Sequence, residues 1–375
     1  MTEKLRTILL PAVFLGFWAV LLMLFFLLPD KDYSETEKRY LAAAPEMTAS
    51  GLLDGTVQEA LEDYTADHFP GRNLFTGISA YNDLLWGRNA AQDYYHCDGG
   101  YLIAAPKQVG DATFQSNLAL FDAFAAQTGL LATLIAVPEA GAVLEDLLPA
   151  GHLDYRDGEL IQTAKDTLRN ITVLDVTDTL KSGNETAPVY YHTDHHLTAW
   201  GNYLVYRDYL TAQGRTPGNE NDFTVTSYGG FYGTAWSGSG YWLTPADTVE
   251  LWDRGTEVTV TISDAGNEDV VATSLFFPDH LAELDKYPVY LDGNHGLVKI
   301  EDPASDGGTL LVVRDSYAHC LSTFLAGDYA EIYLIDLRYY RGCASQLAAD
   351  CGADELLFLY GMENLRTDTN AAWLY

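Results

Sequence analysis

The chain opens with a run in which almost every position is apolar. From about Thr7 to Leu28, roughly 22 residues, no charge interrupts it, and Lys4 and Arg6 stand before it. That length spans a bilayer as a helix, and basic residues on one flank hold that flank in the cytoplasm. Pro11 falls in the first turns, where a missing N–H costs little. The run ends in Pro29-Asp30-Lys31-Asp32 rather than in the small-residue cleavage site of a secretory signal, and no Cys stands at its end to take a lipid. The pattern predicts an uncleaved, single-pass signal anchor over 7–28, a cytoplasmic tail over 1–6, and an extracytoplasmic remainder.

Beyond the anchor the periodicity changes. Asp30 to Arg39 is polar and reads as a stalk. Between Leu52 and Trp86 apolar residues recur at helical spacing: Val57, Leu61 and Tyr64, then Leu74, Ile78, Tyr81 and Leu85 after a break at Phe69-Pro70-Gly71. Asp98-Gly99-Gly100 is a turn between short strands within Tyr94 to Ile103. These segments make a stalk and helical region over 29–100. From residue 101 onward helices and strands alternate. Helical patterns cover Phe114–Gln127, Asp157–Leu168, Trp200–Leu210 and Tyr317–Leu325. Continuous apolar runs over Leu130–Val137, Ile171–Asp175, Thr309–Val313, Glu331–Ile335 and Glu355–Tyr360 read as strands buried on both faces. Such alternation implies an α/β domain over 101–375 with a mainly parallel sheet flanked by helices. Thr224 to Glu301 breaks the rhythm with Gly, Trp, Tyr and alternating Val/Thr, and reads as a β-rich insertion between two parts of the sheet.

Charge narrows the partners. The net charge is −32, whereas nucleic-acid binding needs a basic surface that replaces counterions. Nucleic acid is therefore excluded, and a polyanionic substrate would be repelled. The four cysteines, Cys97, Cys320, Cys343 and Cys351, have no zinc-like spacing. Cys343 and Cys351 could close a short disulfide loop, or all four could be free thiols. No cofactor motif occurs.

Candidate chemistry concentrates in Tyr190-Tyr191-His192-Thr193-Asp194-His195-His196-Leu197-Thr198, with three histidines and a carboxylate in five positions. On an extended segment alternate side chains share a face. His192, Asp194 and His196 would then point one way and His195 the other. That face could hold a metal, although no second His/carboxylate cluster completes it. The other piece is Leu310-Leu-Val-Val-Arg-Asp315-Ser316-Tyr317-Ala318-His319, where a buried strand runs into Ser316 and a helix follows. Asp315 and Ser316 could simply cap that helix. Alternatively, the free N–H groups of the helix start favour a negative oxygen beside the serine. The two pieces complement each other, because a serine nucleophile needs a base and the base needs a carboxylate. If the strand ahead of the His cluster lies beside the strand ahead of Ser316, Asp194 orients His196 and His196 deprotonates Ser316. No metal is then needed, and His192 and His195 become supporting residues. His319 points elsewhere as a competing base.

Tyr191 to Gly201 and Gly308 to Leu325 resemble the DHHW family of exported bacterial proteins, named for an Asp-His-His-Trp run. More distantly they resemble alginate O-acetylation proteins with a permuted SGNH-hydrolase-like domain. Tyr64 to Arg72, Gly230-Phe231-Tyr232-Gly233-Thr234, Ile335 to Tyr339 and Leu359 to Asn364 match further blocks. The resemblance implies an SGNH-like fold and a Ser316–His196–Asp194 triad. The Trp of the name is Leu197 here, with Trp200 three positions on. Asn364 is a candidate oxyanion donor, Arg338 a candidate for holding an anionic group, and Tyr317 and Tyr339 candidates for lining a sugar cleft. The expected function is a membrane-anchored extracytoplasmic serine esterase or O-acyltransferase acting on acetyl groups of a cell-surface or exported glycan. A transferase would also need a multi-span partner to deliver its acyl donor. The alternative is a non-catalytic glycan-binding or assembly component, with Tyr228, Phe231, Tyr232, Trp236, Tyr241 and Trp242 as its binding face.

Overall fold

The computed structural model describes residues 3–375. Met1 and Thr2, the tip of the expected cytoplasmic tail, lie outside the described residues. Two compact units divide the chain: residues up to Gln92 together with Ser237–Trp242, and Asp93–Trp236 together with Leu243–Tyr375.

The first unit begins with a helix over Glu3–Leu27. Its stretch Thr7–Leu27 is long and apolar enough to cross a membrane, with a mean hydropathy of 2.6. The helix starts ahead of the apolar run, so residues 3–6 form its first turn. Two further helices, Thr56–Asp67 and Arg72–Leu85, are separated at Gly71, whose φ of 76° is a left-handed conformation that suits glycine. Asp67 accepts from Arg39 Nη1 at 2.9 Å and from the Ala42 N–H at 2.8 Å. Glu37 bridges Arg39 and Arg72 at 2.7 and 2.8 Å. These two residues of the Tyr64–Arg72 block therefore tie the stalk to the helices. At Gly77 a Cβ would lie 2.5 Å from the Trp242 ring, whose Nε1–H donates to the Asn73 carbonyl at 2.6 Å.

In the second unit the main sheet has eight strands: β1 (Leu131–Val137), β2 (Ile171–Val173), β3 (Thr259–Ser263), β4 (Val270–Ala272), β5 (Leu297–Glu301), β6 (Thr309–Arg314), β7 (Glu331–Ile335) and β8 (Glu355–Gly361). Their order is β4-β3-β5-β7-β6-β8-β1-β2. Pairing is parallel from β7 through β6, β8 and β1 to β2, and antiparallel from β7 outward through β5 and β3 to β4. The parallel strands are the continuous apolar runs, and β6 and β8 are buried along nearly their whole length. The antiparallel strands β3 and β5 alternate buried with half-buried positions, as a sheet with only one well-covered face requires. Segment 224–301 therefore does not sit apart from the sheet, since three of its strands extend it. Within this segment, the hairpin of Thr224–Phe231 with Asp247–Asp253 forms a separate sheet.

Helices cover both faces. On one, Phe114, Leu118, Phe121 and Phe124 of α1 (Ala112–Thr128) and Leu160, Ile161 and Ala164 of α2 (Asp157–Thr167) share a core with Leu134, Leu311, Leu356 and Phe358. Phe121 stacks on Phe358 with centroids 4.3 Å apart. Elsewhere an aromatic group joins α3 (Ala199–Ala212), α4 (Ala318–Leu325) and the hairpin through Tyr203, Phe324, Phe223 and Trp252.

Two readings left open by the sequence are narrowed here. Cys343 and Cys351 flank a single helix, Ala344–Asp350. At about 1.5 Å rise per residue their Cα atoms stand roughly 12 Å apart, beyond disulfide reach, and all four cysteines are free. Of the six residues of the alternative aromatic binding face, Phe231, Trp236 and Tyr241 are buried, and Tyr228, Tyr232 and Trp242 are not.

Candidate active site

The carboxyl ends of β6, β8 and β1 meet at one edge of the sheet, the edge at which ligands bind in open α/β folds. Ser316 stands two residues beyond β6, in the turn before α4. Asp315 fixes that turn. Its Oδ2 accepts from the Gly361 N–H and from Asn364 Nδ2, both at 2.8 Å, and its Oδ1 accepts from the Tyr317 N–H at 2.9 Å. Asp315 is therefore a clamp between the ends of β6 and β8. The helix start is less open than its sequence suggests, because Ala318 and His319 direct their N–H groups to the Asp315 and Ser316 carbonyls. Asn364, expected as an oxyanion donor, spends an amide N–H on Asp315. The Ser316 N–H has no partner among the described residues.

The histidine run is not a strand. Residues 192–196 form a bend closed by an isolated bridge between Tyr190 and Leu197, and β6 is flanked by β7 and β8 instead. Asp247 shapes the bend: it accepts the His192 and Thr193 N–H groups at 3.0 and 2.7 Å and the Thr193 hydroxyl at 2.6 Å. With the alternation broken, His192 pairs with Asp247 and stacks on Tyr101 at 3.9 Å. His195 does not face away as expected. Its ring lies 3.8 Å from that of His196, and its Nδ1 is 2.6 Å from Thr234 Oγ1.

Within the bend Asp194, His196 and Ser316 line up. His196 Nδ1 is 2.5 Å from Asp194 Oδ2, and its Nε2 is 2.8 Å from Ser316 Oγ. The other oxygen, Asp194 Oδ1, accepts the Thr234 N–H at 2.8 Å and the Thr234 hydroxyl at 2.6 Å. Tyr287 stacks flat on His196 at 3.8 Å and donates its hydroxyl to the Ser316 carbonyl at 3.3 Å. Burial alone would raise Asp194, but the His196 and His195 imidazoles outweigh it and hold the carboxyl well below its usual range. Burial, then the neighbouring His195, push His196 down against the pull of Asp194. An ionised Asp194 can only accept, so His196 carries its proton on Nδ1 and turns the Nε2 lone pair to Ser316.

These side chains line a cavity of about 630 Å³, within the range of small-ligand sites. Tyr317 lines it and donates its hydroxyl to the His195 carbonyl at 2.7 Å. Arg338 reaches it too, but its guanidinium is engaged by Asp336 at 2.6 Å. Tyr339 lies outside the lining, half exposed, with the Arg338 guanidinium over its ring. Thr234, Asp247, Tyr287 and Glu139 were not singled out in the sequence. Thr234 alone had a signal, the Gly230–Thr234 block, and nothing in that block tells that its last residue holds Asp194.

Glu139, just past β1, is a buried carboxyl in the lining. Burial, with the charges of Asp157 and Glu363, pushes it up to about 8 against Arg366 and Lys107. In the unfolded chain it would ionise near its ordinary 4.5. Between those two values the folded state holds the extra proton, so folding stability falls as pH rises across that window. Glu139→Gln is expected to match wild type near pH 4.5 and to exceed it by a few kcal/mol, roughly, near pH 8. Urea unfolding at the two pH values measures this; equal stabilities at pH 8 would contradict it.

Asp194, His195 and His196 bring ligand-capable atoms within 4.8 Å of one another. A cation there would have to displace the His196 contacts to both Asp194 and Ser316.

Residues 159–335 match the family model of the DHHW proteins. Among solved structures, a DHHW family protein from Eubacterium siraeum is 22% identical, with a TM-score of 0.64, over 75% of this chain and 93% of that one. PatB1 of Bacillus cereus is 17% identical, with a TM-score of 0.62, over 73% and 97%. PatB1 has also been solved with a sulfonyl adduct. At these identities the likeness establishes the fold. No curated protein matches the chain.

Proposed function

Starting from a chain whose residues 159–335 carry the DHHW family's signature, we propose a membrane-anchored, extracytoplasmic serine esterase or O-acyltransferase that acts on acetyl groups of a cell-surface or exported glycan. The observation that carries this reading is His196 Nε2 at 2.8 Å from Ser316 Oγ, inside the cavity, with Asp194 on Nδ1. A neutral His196 takes the Ser316 proton as Oγ attacks the acyl carbonyl, and Asp194 stabilises the imidazolium that forms. The acyl-serine then passes its acyl group to water or to a sugar hydroxyl. A cavity lined by Tyr94, Tyr287 and Tyr317 suits a sugar, whose faces stack on aromatic rings. The apolar helix over Thr7–Leu27 supports anchoring, with the main domain outside. In the transferase version a multi-span partner supplies the acyl donor, since a single helix offers no path for it.

The fold relative with a sulfonyl adduct suggests the probe. Full-length protein in detergent should react with a sulfonyl fluoride or a fluorophosphonate, and Ser316→Ala should abolish the labelling. Folded wild type that neither labels nor turns over p-nitrophenyl acetate would return the protein to a glycan-binding or assembly role.

A further inference from the structure

The chemistry above leaves the buried cavity residue His319 unused. His319 lines the cavity with Ser316 and is 2% exposed. It lies one turn after the serine on α4, and helical side chains lean over the turn N-terminal to their own Cα. The imidazole shares the cavity lining with Ser316 and lies 6.0 Å, centroid to centroid, from Tyr287, the ring that stacks on His196. Its neighbour is Arg314, the fully buried last residue of β6, whose Nη1 donates to His319 Nε2. A guanidinium has no acceptor, so Nε2 accepts and the ring proton sits on Nδ1. That Nδ1–H has no hydrogen-bond partner among the described residues. A buried donor without an acceptor is costly, and such a group in a cavity signals a ligand atom. Burial, then the charges of Arg314 and His196, hold the imidazole well below its usual range, so it stays neutral and cannot take a proton as a competing base. Several other donors at this edge have partners: Asn364 gives one amide N–H to Asp315, Arg338 Nε and Nη2 donate to Asp336, and the Tyr317 N–H donates to Asp315.

We propose that His319 is an oxyanion donor, its Nδ1–H joining the Ser316 N–H in holding the carbonyl oxygen of a bound acyl ester. The assignment rests on Ser316 being the nucleophile. As Ser316 Oγ bonds to the acyl carbon, the carbonyl π pair moves onto oxygen and the serine proton passes to His196 Nε2. The oxyanion then accepts from His319 Nδ1–H and Ser316 N–H. When the carbonyl re-forms, the ester C–O bond breaks and the leaving alcohol takes its proton from His196. Arg314 keeps the tautomer fixed and polarises the Nδ1–H without lending it a transferable proton.

The test is steady-state hydrolysis of p-nitrophenyl acetate by full-length wild type, His319→Leu and His319→Gln. Loss of one such donor is expected to lower kcat of His319→Leu by about 100-fold with KM nearly unchanged. Gln retains an N–H and should recover much of that loss. A folded His319→Leu within about threefold of wild-type kcat overturns the assignment. Should the variants fail to fold, nitrogen-15 NMR of wild type decides. The His319 Nδ1–H resonance should move downfield when a fluorophosphonate modifies Ser316, and an unmoved resonance also overturns the assignment. A wild type that neither turns over ester nor labels sinks the nucleophile reading itself, whereas an active wild type with an equally active His319→Leu sinks only the oxyanion donor.

Discussion

Asp194→Asn is expected to lower kcat for p-nitrophenyl acetate by about 10⁴-fold while the protein remains folded, a loss of the size seen when a triad carboxylate becomes an amide. The reason lies in the tautomer. The asparagine oxygen would keep the contacts that Asp194 Oδ1 accepts from Thr234. The amide nitrogen would then replace Oδ2 against His196 Nδ1, now 2.5 Å away. An N–H facing Nδ1 forces that nitrogen to accept and moves the ring proton to Nε2. His196 would then point a proton at Ser316 Oγ instead of a lone pair, across the 2.8 Å contact. Geometry survives and base function is lost. Retention of kcat within about tenfold of wild type would rule out Asp194 as the orienting carboxylate.

Gly233→Ala is expected to be the most damaging single methyl addition at the site. A Cβ at position 233 would lie 2.1 Å from the Asp194 Cβ and 2.6 Å from its Cα. Backbone atoms cannot rotate away, so either the His bend or the segment ahead of Thr234 must shift. The Gly233 N–H also donates to Thr193 Oγ1 at 3.1 Å, so a shift breaks the bend from a second side. Overpacking of this kind costs about 3 kcal/mol or more where no flexible side chain can yield. Chemical denaturation should find that loss, together with greatly reduced ester hydrolysis. A Gly233→Ala variant with wild-type stability would mean that the Asp194–Thr234 contact is looser than described.

Why Ser316 was legible and Thr234 was not comes down to sequence distance. The apolar run into Arg314 and the helical pattern from residue 318 put Ser316 on a strand-to-helix turn by local rules alone. Asp194 and His196 are two residues apart, so their pairing is a local property of the bend. The contacts that complete the arrangement join residues far apart in the chain: Thr234 with Asp194 across 40 positions, Asp247 with Thr193 across 54, Tyr287 with Ser316 across 29. Each is an ordinary polar or aromatic residue in a segment with its own structural duties. No spacing rule distinguishes Asp247 from the many other acids of this chain.

The errors have the same origin. Period-two alternation placed His195 opposite His196, but alternation holds only where a strand is paired along its length. Here Asp247 captures two successive N–H groups and turns the backbone. Asn364 has two amide N–H groups, and the fold commits one of them to the Asp315 carboxylate, a contact that joins residues 49 positions apart.

By itself, then, the sequence determined the apolar helix and the α/β alternation, and it singled out Asp194, His196 and Ser316, whose side chains the fold brings into contact. These depend on periodicity and on neighbours a few positions apart. The tertiary structure alone decided that β3, β4 and β5 extend the sheet, that His195 stacks on His196, that Asp315 clamps two strand ends, and that the His319 Nδ1–H is left without an acceptor among the described residues. Those outcomes follow from which buried polar groups find partners across the fold, and a low-dielectric interior raises the cost of leaving such a group unpaired.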